Sequence, residues 1–185
     1  MPFVAAVELI VCWLAWAYPF IMRAPHRQRR PSITASLPTY AGLLLEASAI
    51  CIAWVFRLSS DDPPGLARIA ASMALGPLAG ILSWTAVRSL GKQFRLRAGL
   101  YQDHELVRDG PYCVVRHPIY ASLLAILLST LLLLTPWTWF AVSLVLFVAG
   151  TEIRIRAEDA LLASRFGEEF LAYRRKVPAY LPFIR

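Results

Sequence analysis

This chain reads as an all-α integral membrane protein with five transmembrane helices and a cytoplasmic C-terminal amphipathic helix. Three observations predict that class. Of its 185 residues, 58% are hydrophobic and 17% charged, where a soluble domain carries roughly half and a quarter. The apolar residues fall in long runs almost free of charge, as a bilayer core demands. The basic residues collect between those runs.

The first run, residues 3–22, contains one charge, Glu8. It lacks the basic leading segment of a cleaved signal, and Arg23 follows it, so a retained span is expected. The second, residues 37–56, contains only Glu46, an intramembrane acid with no obvious basic partner along the chain. Such an acid is a functional hypothesis by default, with protonation, a polar cavity or a substrate role as its readings. Asp61-Asp62-Pro63-Pro64-Gly65 marks a short turn before the third run, 69–87, which holds no charge. Gly76 and Gly80 lie four apart there, a spacing that lets another helix approach closely.

Residues 119–151 are uncharged over 33 positions, too long for one span of about 20 residues and short for two. Thr135-Pro136-Trp137 lies near the middle, and proline breaks a helix. Two short spans, 119–134 and 137–152, are therefore expected as a tight hairpin. Beyond it Ile155, Leu162, Phe166, Phe170, Tyr173 and Val177 recur at helical spacing, which predicts an amphipathic helix over 153–177. The whole reads as one membrane domain, 1–185, with three N-terminal spans in 1–90 and a motif-bearing region in 91–185.

Charge sets the orientation. Arg57 and Arg68 apart, the 19 Lys and Arg residues follow span one, join spans three and four, or follow span five. The excess of basic residues on one side places those segments in the cytoplasm and the N-terminus outside. The net charge of +7 then suits anionic lipid headgroups rather than nucleic acid. Cys12, Cys51 and Cys113 have neither metal nor disulfide spacing, and no metal is expected.

The chemistry-bearing residues cluster in two places. Gly110–Tyr120 packs Arg116, His117, Tyr112 and Tyr120 against the start of span four, with Pro118 at its first helical position. Free N–H groups and the positive end of the helix dipole make that start hospitable to anions. An interfacial anchor of Arg, His and Tyr reads the same way. Arg154, Glu158 and Asp159 follow the end of span five at the same depth, where an ordinary surface ion pair is the plain alternative. Between His104-Glu105-Leu106-Val107 and Tyr112-Cys113-Val114-Val115, Asp109-Gly110 signals either a small hairpin or an irregular cradle.

These residues carry a resemblance. Leu90-Gly91-Lys92-Gln93-Phe94, His104-Glu105-Leu106-Val107, Gly110-Pro111-Tyr112 and Arg116-His117-Pro118-Ile119-Tyr120 occur in that order. Arg154-Ile155, Glu158-Asp159, Phe166-Gly167-Glu168-Glu169-Phe170, Tyr173, Val177-Pro178 and Leu181-Pro182-Phe183-Ile184 follow. Together, over about residues 88–185, they resemble the isoprenylcysteine carboxyl methyltransferases and their prokaryotic relatives. The resemblance implies an integral membrane methyltransferase using S-adenosylmethionine. Its lipophilic or prenylated substrate would enter from the bilayer. By motif it implies that Leu106, Val107, Tyr112, His117, Pro118 and Tyr120 line the cofactor site. Arg116, Arg154, Glu158 and Asp159 would be the polar residues of the active site. The family usually has Glu-Glu where this chain has Glu158-Asp159.

The chemistry agrees with the residues. A carboxylate acceptor is already ionised near neutral pH and needs no general base; it needs positioning, which Arg154 can supply as a bidentate partner. Three rivals make different demands. A lipid N-methyltransferase needs a base, for which His117, Glu158 or Asp159 would serve. Membrane sterol reductases resemble the last portion of this chain, bind NADPH and generally have more spans. A non-catalytic scaffold would keep the motif for packing alone.

Overall fold

The computed structural model describes residues 3–23, 37–59, 62–91 and 105–182. Arg27, Arg29, Arg30, Asp61, Lys92, Gln93, Phe94, Arg95, Arg97, His104, Phe183, Ile184 and Arg185 lie outside them. The described residues form an all-helical chain without a strand: α1 Phe3–Met22, α2 Leu37–Val55, α3 Leu66–Leu90, a single 3-10 turn Gly110–Cys113, α4 Pro118–Leu134, α5 Trp137–Phe166 and α6 Glu168–Lys176. Four of these, α1, α2, α3 and α5, are long and apolar enough to cross a membrane. The fifth apolar helix, α4, has 17 residues.

Exposure separates α4 from the others. The four long helices are only 22–28% buried in their apolar windows, so most of their side chains face outward, as lipid-facing side chains do. By contrast α4 buries residues on every face, from Tyr120 through Ile126 and Leu127 to Leu134. It is the central helix, packed on α3 and touched by α1, α2 and α5.

Helices that leave water for lipid gain little from apolar burial against one another, so close packing and interhelical hydrogen bonds hold them together. Gly76 of α3 lies against Cys12 of α1, where an added Cβ would stand 2.8 Å from its Sγ, and Gly80 lies against Ala15. The expected close approach at this pair is thus made by α1. Ser72 of α3 donates to the Ser129 carbonyl of α4 at 2.8 Å, and Ser129 donates back to the Ser72 carbonyl at 3.0 Å. Trp13 and Trp16 of α1 donate to Thr130 and Ser122 of α4, both at 3.0 Å.

Arginines cap helix ends at both poles. Arg23 donates to the Val87 and Arg88 carbonyls that close α3. Arg68 donates to the Leu131, Leu132 and Thr135 carbonyls that close α4, with its guanidinium over the Trp137 ring. A cation there satisfies orphan carbonyls and opposes the helix dipole. The caps also fix the topology, because the ends of α1 and α3 lie at one pole and the end of α4 at the other.

The break falls where Pro136 places it, α4 ending at Leu134 and α5 starting at Trp137. The separate helix over 153–177 does not form. Instead α5 runs unbroken from Trp137 to Phe166, because residues 151–166 offer no glycine or proline and many strong helix formers. At about 1.5 Å per residue it is about 45 Å long, well beyond a hydrocarbon core of about 30 Å. It ends at Gly167, whose φ of 52° only glycine adopts at little cost. The predicted apolar stripe survives the break: Ile155, Phe170 and Tyr173 are buried, and Leu162, Phe166 and Val177 half-buried.

Candidate active site

The start of α4 and the charged end of α5 meet at one pole, closed over by the C-terminal segment. Before α4 the chain makes its 3-10 turn at Gly110–Cys113, with Gly110 at φ 61°. Of the two readings of this segment, the irregular one is what the described residues adopt. Pro118 occupies the first position of α4, so His117 and Arg116 precede the helix with their own N–H groups pointing away from it. Those N–H groups donate to the Ala179 and Pro178 carbonyls, each at 2.8 Å. The segment after α6 is thereby strapped across the mouth of α4.

Three connected groups of charge fill the space beneath. The innermost is Asp159, whose side chain is 6% exposed. Its Oδ2 accepts from Arg116 Nη2 at 3.0 Å, its Oδ1 faces His117 Nε2 at 2.9 Å, and Arg174 of α6 approaches at 3.6 Å. Arg116 also donates to the Arg174 and Val177 carbonyls. A buried ion pair is tolerable only when its remaining hydrogen-bonding capacity is used in this way.

The second group is Glu158, its side chain 26% exposed and 3.6 Å from His117 Nδ1. The Tyr120 hydroxyl donates to it. Both imidazole nitrogens of His117 therefore face carboxylates, which only the imidazolium satisfies from both sides. Burial acts to lower the His117 pKa, but the hydrogen bonds with Asp159 and then Glu158, and the charges behind them, raise it above the ordinary 6.5. Behind His117, burial drives the Tyr112 phenol well up and the Tyr173 phenol to about 12. Tyr173 donates to the Tyr112 carbonyl, pinning α6 to the turn.

The third group corrects the expectation for Glu46. The sequence offers it no partner, yet it is 1% exposed and paired with Arg154 of α5. Thr151 donates to its other oxygen at 2.9 Å. The Arg154 guanidinium stands 4.8 Å from the centre of the Tyr120 ring, a cation–π contact. Arg154 and Glu158, though one turn apart on α5, pair with different charged groups, Glu46 and His117, and share only the Tyr120 side chain.

Of the ten residues expected at a site, Arg116, His117, Pro118, Tyr120, Arg154, Glu158 and Asp159 are thus gathered at one pole, with Tyr112 packed behind. Leu106 and Val107 are half-buried in the irregular segment before the turn. An open cleft of about 540 Å³ lies between the end of α3 and the turn, lined by Thr85, Arg88, Ser89, Gly110 and Pro111; none of the charged groups above lines it. Sequence reasoning did not find Glu46 as the partner of Arg154, nor Arg174 and the Pro178-Ala179 strap. The prior signals were an acid inside an apolar run and the Val177-Pro178 motif.

An all-helical scaffold with four membrane-length helices among the described residues, gathering buried acids and cations at one helix pole, defines an integral membrane protein with an ionic cluster at one end of its helices. Residues 73–164 match the model of the isoprenylcysteine carboxyl methyltransferase (ICMT) family. A protein-S-isoprenylcysteine O-methyltransferase of Schizosaccharomyces pombe is 42% identical over 45% of this chain and 35% of its own length. The Xenopus laevis protein of the same name is 28% identical over 95% of this chain and 63% of its own. A Cupriavidus metallidurans protein named cobalt-zinc-cadmium resistance protein CzcN is 36% identical over 51% of this chain and 45% of its own. The chain thus spans less than two thirds of the length of each of these relatives.

Proposed function

We propose that this chain is a five-span membrane methyltransferase moving a methyl group from S-adenosylmethionine to the carboxylate of an isoprenylcysteine-like lipid. The observation that carries the reading is the placement of two incompletely buried, oppositely charged groups, Arg154 and Glu158, one turn apart on α5, each against Tyr120 and neither paired with the other. The match of residues 73–164 to the model of a methyltransferase family supports it. So do the names of the yeast and frog relatives.

The donor set suits such a cofactor. Arg116 Nε and Arg154 Nε are buried and, among the described residues, make no hydrogen bond, which leaves donors for a carboxylate. Glu158 offers an anionic face to an amino or sulfonium group. Leu106, Val107, Tyr112, His117, Pro118 and Tyr120 would enclose the cofactor, which supplies an activated methyl group when bound. Of the polar residues, Asp159 and Arg116 hold the strap and the helix ends in register. Arg154 would hold the acceptor carboxylate, already ionised and in no need of a base. Between them, the Tyr120 ring would keep water from the reacting oxygen and fix Arg154 by its face. In-line transfer then depends on proximity and orientation rather than proton movement.

With α4 as the central span, the chain crosses the membrane five times, the site and C-terminus on the cytoplasmic side. The basic segments support that orientation. The acceptor enters from the bilayer between helices.

The test is transfer of tritium from methyl-labelled S-adenosylmethionine to S-farnesylcysteine and to amine lipids by the purified chain. Base-labile label on S-farnesylcysteine is expected, and base-stable label on an amine lipid alone would sink the carboxylate reading. Arg154→Ala is expected to abolish transfer while its circular dichroism and cofactor binding persist. Near-normal activity in that variant would remove Arg154 from the reaction.

A further inference from the structure

We propose that Glu46 is a positioning residue: it aims Arg154 at the acceptor carboxylate and keeps it from Glu158. This rests on the reading of Arg154 given above and extends it to a residue outside the matched segment, on α2.

The seat of Arg154 is built on three sides. Below the stem is Gly42, where an added Cβ would stand 2.6 Å from Arg154 Cγ and 2.7 Å from the Gly150 carbonyl. One turn further along α2, Glu46 holds the head through Nη1. On the third side is the Tyr120 ring. Gly42 and Glu46 are four apart and both buried. One stripe of α2 therefore supplies the bare backbone for the stem and the carboxylate for the head.

A carboxylate this deep in an apolar helix is costly unless it is paired. Packing alone would be served by an alanine of the kind that continues the same stripe at Ala49 and Ala53. Glu46 is itself held in place, because Thr151 fixes Oε1 and leaves Oε2 to Arg154. The consequence for Arg154 is directional. With Nη1 committed to α2, its buried Nε makes no hydrogen bond among the described residues and remains for an anion.

Glu158 lies one turn from Arg154 on the same helix, the spacing at which opposite charges pair. In this structure Glu158 is taken by Tyr120 and faces His117 instead. Glu46 thus separates the two halves of the site. Arg154 stays cationic toward an anionic acceptor, and Glu158 stays anionic toward a cationic donor.

The experiment compares the full chain with Glu46→Gln, Glu46→Asp and Thr151→Val in lipid nanodiscs. The readouts are equilibrium binding of S-farnesylcysteine without cofactor, binding of labelled S-adenosylmethionine, and steady-state methylation. Glu46→Gln is expected to weaken S-farnesylcysteine binding and raise its KM by about tenfold or more, with cofactor binding within about twofold of the parent. Glu46→Asp is expected to recover most of that loss, and Thr151→Val to lose only about threefold. Unchanged acceptor binding in Glu46→Gln overturns the proposal. Equal loss of acceptor and cofactor binding also overturns it, as a merely structural role would give that result. If Arg154→Ala retains acceptor binding while Glu46→Gln loses it, the assignment of Arg154 fails and Glu46 does not act through it.

Discussion

Asp159 and Glu158 are neighbours in the chain with different surroundings, and their substitutions should separate accordingly. Asp159 is almost wholly buried against Arg116, His117 and Arg174. Replacing it with alanine leaves Arg116 an unpaired buried cation, a change that costs about 3–5 kcal/mol. Asp159→Ala should therefore unfold at markedly lower denaturant in detergent. Glu158→Gln, at a partly open position, should keep its unfolding midpoint and lose cofactor binding. His117 gives the pH dependence. Its folded pKa is raised above 6.5, so the imidazolium contributes stability that is fully present below 6.5 and is lost as pH rises through the raised value. The thermal midpoint should fall over that window, and His117→Gln should flatten the fall. A parent whose midpoint stays level there would contradict the double-carboxylate setting of His117.

The pairing of α2 with α5 rests on glycine. Gly42 and Gly150 face each other, and a Cβ on Gly150 would stand 2.6 Å from the Gly42 carbonyl and 3.0 Å from the Leu45 Cβ. Backbone cannot move aside as a side chain can, so Gly150→Ala must part the helices. Overpacking of this kind costs about 1–3 kcal/mol, and here it would also draw Glu46 from Arg154. Gly150→Ala should lower both thermal stability and acceptor affinity, whereas Gly65→Ala, with nothing within 4 Å of the new Cβ, should change neither. The helices themselves were legible because each apolar run is nearly or wholly free of charge and Pro136 divides the last one. The continuation of α5 past its apolar stretch was not. Hydropathy changes at Glu152, but helix propensity does not change until Gly167, and it is the backbone that sets the end.

Across the molecule, the site is closed by chain that is distant in sequence. The carbonyls of Pro178 and Ala179 accept from Arg116 and His117, Tyr180 is buried in the central apolar cluster, and Arg116 binds the Val177 carbonyl. A chain ended at Val177 should keep its helix content and membrane insertion but lose cofactor binding, since the mouth of α4 would then stand open to water. Retained binding in that truncation would show that the strap is dispensable.

Membrane residence, the helix order and most of the charged residues gathered at one pole follow from local pattern: runs nearly free of charge, a proline, and polar motifs next to the ends of those runs. Those are signals that a bilayer and a helical backbone impose within a few turns of chain. Which charges pair could not be read that way. Arg154 and Glu158 share a helix face at the spacing that favours pairing, yet Arg154 binds Glu46, 108 positions away. The reason is steric as much as electrostatic. Only after α2 and α5 close on Gly42 and Gly150 do the two side chains meet, and only the folded core makes the pair cheaper than two isolated charges.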